Sequence, residues 1–175
     1  AKLSVPLGIT VGQSGSLYIY DTDENLIRRV DTDGVITTIA GNGTESFSND
    51  GGLATNAALD FSTPSWGGGF PIEKDGNLYI PDTGNHRIRV VRADGIINTL
   101  AGNGSAGFSK EGTSALSAKL NAPTGLAILP DGSLLFTDSL NNRIRRIAPA
   151  LPGIGIADIA IPSQDGSQLY RFDSS

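Results

Sequence analysis

The stretch Gly15-Ser-Leu-Tyr-Ile-Tyr-Asp-Thr22 returns as Gly76-Asn-Leu-Tyr-Ile-Pro-Asp-Thr83 and again as Gly132-Ser-Leu-Leu-Phe-Thr-Asp-Ser139. Laid on one another without gaps, residues 15–60 and 76–121 are identical at half of their positions. A repeat of this period constrains the fold more than any local pattern does. Within a unit, apolar and polar residues alternate with period two between turn signals, which predicts short strands. In the first unit these run from about Leu7 to Gly12, Leu17 to Asp21, Leu26 to Val30 and Val35 to Ala40. Asp33-Gly34, Asp94-Gly95, Asp75-Gly76 and Asp131-Gly132 suit tight hairpins, where glycine accepts a positive φ. Each unit is thus read as a four-stranded antiparallel meander. One such sheet cannot bury both of its faces, so the copies must stack, and radial stacking gives a β-propeller. The predicted fold is all-β, with about three blades in a partial ring or half of a six-bladed one.

Composition narrows the chemistry. The 175 residues include 23 Gly and 9 Pro, no Cys and a single His. No disulfide framework, thiolate zinc site or Cys nucleophile is possible, and one imidazole cannot form a ligand cluster. The formal charge of -5 argues against nucleic acid and anionic membrane surfaces, which select clustered Lys and Arg. No run reaches the roughly 18 apolar residues that a membrane span requires, and Ala1 to Thr10 lacks the layout of a signal peptide. With no Met at its start, the chain is expected to be a processed product or part of a longer protein.

Pro-x-Gly-Ile at the first strand, the run Asp75-Gly-Asn-Leu-Tyr-Ile-Pro-Asp-Thr-Gly-Asn-His-Arg-Ile-Arg-Val90, and Ala-Gly-Asn-Gly at the close of a unit together resemble NHL repeats. The resemblance covers residues 5–148 and implies propeller blades, commonly six to a ring. It divides the chain into blade 1 with a long connector (5–61), blade 2 with a long connector (62–122), blade 3 (123–162) and an exit strand (163–175). The tail, Gln164-Asp-Gly-Ser-Gln-Leu-Tyr-Arg-Phe-Asp173, is similar to the passage from an NHL segment into the YD-repeat shell of bacterial Rhs and teneurin-like proteins. On this reading Ile156 to Ile161 complete the third blade, and Gln168 to Phe172 form a strand that leads elsewhere.

Several residues carry groups capable of chemistry. Asp21, Asp82 and Asp138 end the second strand of each unit. Ca²⁺ ligation or acid/base work is conceivable for them, but a capping side chain that accepts backbone N–H bonds explains one copy per blade more simply. Asp21-Thr-Asp23 and Asp31-Thr-Asp33 lack the remaining oxygens of a calcium loop. Arg28, Arg89 and Arg145 align on the third strand, with Leu26, Arg87 and Arg143 on the same face. Arg–carboxylate pairs tying neighbouring blades are expected of them, against a channel-mouth ring that recruits an acidic partner. His86 is matched by Asn25 and Asn142, an exchange that suits a turn better than a general base. Trp66, beside Gly67-Gly68-Gly69 in an insertion found at one junction only, is either a ligand platform or a lid. Phe47 and Phe108 are expected to be buried and, with Leu59 and Leu120, to pin the connectors over the blade interfaces, each with a helical turn at Ala54 to Leu59 or Ser114 to Leu120. Gly102-Asn-Gly-Ser-Ala-Gly107 fits the dinucleotide fingerprint by spacing alone, because no βαβ unit follows. Asn42-Gly-Thr44 and Asn103-Gly-Ser105 match a glycosylation acceptor but fall in the repeated turn.

The expected function is accordingly a non-catalytic interaction or scaffold module without a cofactor, part of a secreted or surface protein of bacterial YD-repeat type. A protein or glycan partner is expected at Trp66, His86, Arg87 and Arg143. The remaining blades would come from a longer chain or from a homodimer. The alternative is a fragment of a propeller hydrolase or lyase whose catalytic residues lie in other blades.

Overall fold

The computed structural model describes residues 2–62, 72–110, 113–148, 159–162 and 169–170. Strands β1 (Pro6–Val11), β2 (Leu17–Asp21), β3 (Leu26–Val30) and β4 (Ile36–Ala40) form one antiparallel sheet in sequence order. A second sheet repeats the pattern with β5 (Ile72–Lys74), β6 (Asn77–Asp82), β7 (Arg87–Val91) and β8 (Ile97–Ala101). The third comprises β9 (Pro123–Ile128), β10 (Leu134–Asp138), β11 (Arg143–Ile147) and β12 (Ile159–Pro162), to which β13 (Leu169–Tyr170) is added. The expectation that the last strand leads elsewhere is corrected here. It pairs back onto β12 through Ile161↔Tyr170 and Pro162↔Leu169, making a fifth strand on the same sheet.

The hairpins follow from their turn residues. Asp31 Oδ1 accepts the N–H groups of Asp33 and Val35, and Gly34 takes the positive φ that closes the turn. Asp94 and Asp131 do the same for Ile96 and Ser133. Register slips by one residue between Ile27 and Arg28 in β3/β4, and again between Ile88 and Arg89 in β7/β8. A bulge kept at one position in two units re-aims the side chains around it, and those side chains are the aligned arginines.

Two apolar layers hold the sheets together. Tyr20, Ile27, Leu59, Phe61, Leu78, Ile80 and Ile97 belong to one buried cluster, and Ile88, Leu120, Leu134, Phe136 and Ile147 to the next. Each fully buried Ile, Leu or Phe contributes roughly 1.5–3 kcal/mol by removal from water. Tyr20 stacks on Phe61 with ring centroids 4.0 Å apart, and its hydroxyl donates to the Pro81 carbonyl of the second sheet. The helical turns are shorter than expected, being single 3-10 turns at Ala54–Asn56 and Ala115–Ser117. Ala54 and Ala115 are buried there, and their carbonyls accept the N–H groups of Gly41 and Gly102.

Candidate functional site

On the second and third sheets the recurring polar residues converge where a connector crosses from one sheet to the next. On the second sheet Asp82 is fully buried. Its Oδ1 accepts the Asp60 N–H at 2.8 Å and the Asn85 amide at 2.8 Å, while Oδ2 accepts from Arg89 at 3.1 Å. Arg89, also fully buried, reaches on to Asp50 at 2.8 Å and to the Ser48 carbonyl at 3.2 Å. The third sheet repeats this. Asp138 accepts the Asn121 N–H, the Asn141 amide and Arg145, and Arg145 donates to the Lys119 carbonyl at 3.1 Å. Burial outweighs these donors at Asp82 and pushes its carboxyl up to about 6, against the lowering pull of the Asp60 N–H and Arg89.

Two expectations are corrected by this geometry. The aspartates do accept backbone N–H groups, but from the lead-in to their own sheet, at Ser4, Asp60 and Asn121, and not from the turn that follows them. Arg89 and Arg145 each pair with the aspartate of their own sheet, and Arg89 reaches its second carboxylate, Asp50, on the connector of the preceding unit. Full burial of Arg89 and Arg145 is incompatible with their lining a channel mouth.

Arg87 and Arg143 are half-buried and lie over Phe47 and Phe108, with the guanidinium carbon 3.8 Å and 4.4 Å from the ring centroids. The expected burial of these phenylalanines is wrong. Phe47 remains 37% exposed and Phe108 44%, because the guanidinium covers one face of each ring and leaves the other to water. Arg87 also donates to the Asn103 carbonyl at 2.9 Å, joining the two connectors.

His86 sits at φ 53°, as Asn142 does, and Asn25 at φ 51°. Asn tolerates this left-handed position unusually well, and His is also enriched there. The same side chains carry an acceptor across the seam: Asn25 Oδ1 takes the Phe61 N–H at 2.8 Å, and His86 Nδ1 takes the Ala122 N–H at 3.2 Å. Burial lowers the affinity of His86 for a proton, in keeping with an imidazole that must present a lone pair. Asn142 stands at the same position on the outer side of the third sheet. There a cleft of about 440 Å³ is lined by Thr124, Thr137, Ser139, Asn142, Arg143 and Ile144. Ile144 is 59% exposed, whereas its counterparts Ile27 and Ile88 are fully buried. At the opposite end Ile9 and Val11 of β1 are exposed as well. Among the described residues, the stack therefore exposes apolar side chains at each end.

Trp66 and its glycine-rich insertion lie outside the described residues. Among the described residues, no group of three or more His, Asp or Glu side chains could hold a metal ion, and no helix is long and apolar enough to cross a membrane. Asn42 and Asn103 each accept a local N–H and donate to the carbonyl of Asn56 or Ser117, so their amides brace the connectors. Sequence reasoning missed Asp50, Asn85 and Asn141. Asn85 and Asn141 recur at matching positions, which was the available signal, whereas Asp50 is matched by Glu111 and is legible only as a shared acid.

No family model matches the chain. In sequence it is similar to human teneurin-4, 38% identical over 105 residues that make up 53% of this chain, and to Drosophila melanogaster teneurin-m, 30% identical over 168 residues, or 86% of it. The matches span only 4% and 6% of those proteins. Both are animal proteins, so the bacterial setting expected from the sequence has no counterpart in them. In structure it is similar to a Bacteroides thetaiotaomicron protein of unknown function (TM-score 0.62, 22% identity, 75% of this chain and 32% of that one). It also resembles virginiamycin B lyase from Staphylococcus aureus with quinupristin (0.53, 20%, 93% and 43%) and a gluconolactonase from Xanthomonas campestris (0.52, 19%, 99% and 48%). At these identities the likeness is one of fold. The chain is an all-β segment of β-propeller type, related to part of the teneurins.

Proposed function

We propose that this chain is a non-catalytic interaction and scaffold segment, built of NHL-type blades at residues 5–61, 62–122 and 123–162, within a larger secreted or surface YD-repeat protein. The observation that carries this reading is where the recurring polar groups are used. Asp82, Arg89, His86 and Asn85 each satisfy hydrogen bonds inside the stack, and a group held in that way is not free to act on a substrate. What remains at the surface, Arg87 and Arg143 over half-exposed phenylalanines, suits contact with an extended protein or glycan. The similarity to teneurins favours the surface setting.

A second reading rests on the lyase and gluconolactonase among the structural neighbours: a fragment of a propeller enzyme whose reacting groups lie in other blades. The parent reading frame discriminates between them. YD repeats downstream of Ser175 support the scaffold, whereas further blades carrying clustered histidines support the enzyme. Calorimetric titration of the 175-residue chain with Ca²⁺ and Zn²⁺ adds an independent check, since stoichiometric tight binding would overturn the cofactor-free assignment.

A further inference from the structure

At both joints of the stack a left-handed residue carries an acceptor across to the lead-in of the next sheet, and the joints differ in which acceptor that is. Asn25 Oδ1 takes the Phe61 N–H at 2.8 Å, and His86 Nδ1 takes the Ala122 N–H at 3.2 Å. An amide oxygen accepts at any pH. An imidazole nitrogen accepts only while it is unprotonated, and once charged it presents an N–H in place of the lone pair. Protonation therefore sets one donor against another at the second joint and leaves the first untouched. Ala122 is 3% exposed, so its N–H has no ready replacement in water. It also holds φ 50°, a left-handed position that alanine adopts only where its surroundings fix it.

The charged groups around His86 decide where an imidazolium would go. Burial is the largest influence and lowers its proton affinity below the ordinary 6.5; Asp60, on the lead-in to the second sheet, and Asp138, at the end of β10, pull the other way, and Arg87, beside it in the chain, adds to the lowering. Of the two carboxylates, Asp138 is committed, with Oδ1 on the Asn121 N–H and Oδ2 on Asn141 and Arg145. Asp60 has capacity to spare. Its Oδ1 accepts the Ser62 N–H and hydroxyl, and its Oδ2 accepts from no described residue. The Asp60 carboxylate lies against Gly84, where a Cβ would come within 2.3 Å of it, in the same turn that presents His86.

We propose that the joint between the second and third sheets is an acid-released catch: a proton taken up from solvent at His86 Nδ1 displaces the Ala122 N–H, and the imidazolium is held instead by Asp60. The lead-in to the third sheet then loses this anchor to the second and keeps the Thr83 hydroxyl on the Pro123 carbonyl, so the joint loosens without coming apart. The first joint stays closed. The closed joint binds the proton less well than the opened one, so the contribution of His86 is whole above pH 6.5 and is lost as pH falls through its lowered folded-state value. Asp82, whose carboxyl lies at about 6, acts on global stability with the opposite slope, and a local readout is needed to isolate the catch. The inference is independent of whether the whole protein is a scaffold or an enzyme.

The test is amide hydrogen exchange of the 175-residue chain, followed residue by residue by NMR from about pH 7.5 to about 4.5 and expressed as protection factors, with the His86 ring titrated in the same samples. Ala122 should lose about tenfold in protection relative to Phe61, the scale of one net hydrogen bond, with a midpoint that follows the His86 ring. His86→Asn keeps an acceptor at every pH and should give Ala122 the flat profile of Phe61. Asp60→Asn keeps the oxygen that Ser62 uses but removes the countercharge, and should move the Ala122 midpoint to lower pH. Ala122 protection that parallels Phe61 over the whole range in the native chain overturns the proposal. A loss that persists in His86→Asn also overturns it, by assigning the effect to Asp82. An Ala122 midpoint unmoved by Asp60→Asn overturns the transfer of the imidazolium to that carboxylate.

Discussion

The three aligned arginines offer one substitution in three environments. Arg89 serves two carboxylates and a carbonyl, Arg145 one carboxylate and a carbonyl, and Arg28 makes no ion pair with any described residue. Replacement by Met keeps most of the aliphatic volume and removes the charge. Arg89→Met leaves Asp82 fully buried without its cation, and breaking a buried pair from one side costs about 3–5 kcal/mol. Loss of the Asp50 and Ser48 contacts places this variant at the upper end, about 4–5 kcal/mol. Arg145→Met orphans Asp138 alone and should cost about 3 kcal/mol. Arg28→Met breaks nothing and should stay below about 1 kcal/mol. Against a total stability of roughly 5–15 kcal/mol, the first variant approaches unfolding and the last is barely visible. Urea denaturation followed by far-ultraviolet circular dichroism measures the series, with equal m-values showing that the same surface is exposed in each case. Equal costs at all three sites, or Arg28→Met costing as much as Arg89→Met, would refute the claim that these arginines act by clamping connectors.

Other expectations follow from single positions. Gly102 has φ 95° and a Cβ there would lie 2.2 Å from the His86 carbonyl oxygen, whereas Gly95 has φ 81° with open space around it. Gly95→Ala should therefore cost only the left-handed penalty, about 1 kcal/mol, and Gly102→Ala more than twice that in the same denaturation assay. His86→Asn keeps both the left-handed backbone and an acceptor and should be nearly silent. His86→Val loses both and should lower the midpoint by the equivalent of about 2–3 kcal/mol. Asp82 has a folded-state carboxyl near 6 against 3.8 unfolded. Between those values the native state holds a proton that the unfolded chain has released, so stability declines as pH rises from about 4 to 6 and is flat above. The drop is on the order of 2–3 kcal/mol. Asp82→Asn, compared in a His86→Asn background to remove the one imidazole, should abolish that slope; an unchanged slope assigns the titration to other groups.

The strand order of the three sheets was legible because alternation in Leu17–Asp21 and the Asp-Gly turns act locally, and repetition multiplied the signal. The importance of Asp82 and Arg89 was visible from their recurrence, but their partners were not. Asp60 lies 22 residues before Asp82, and Asp50 lies 39 residues before Arg89. Nothing in a strand pattern specifies where a connector returns. Phe47 was misplaced for a physical reason: an aromatic ring in a loop suggests burial, and only the geometry brings Arg87 over its face. His86 was placed at a turn because Asn stands in its position twice. That Asn25 and His86 also cross the seam as acceptors follows from the stacking, which the sequence does not express.

Four of the contacts that join the sheets share a property with an evolutionary consequence. At the seams, Asn25, His86, Thr83 and Tyr20 address main-chain atoms of the next sheet or of the connector leading into it: the N–H groups of Phe61 and Ala122 and the carbonyls of Pro123 and Pro81. Every amino acid except proline offers the same N–H, and every one offers the carbonyl. At these four contacts, unlike at the Arg89–Asp50 pair, the neighbour's side chains can drift without a matching change on the other side of the joint. Such a joint behaves as a standard coupling, and it lets a gene lengthen by whole units.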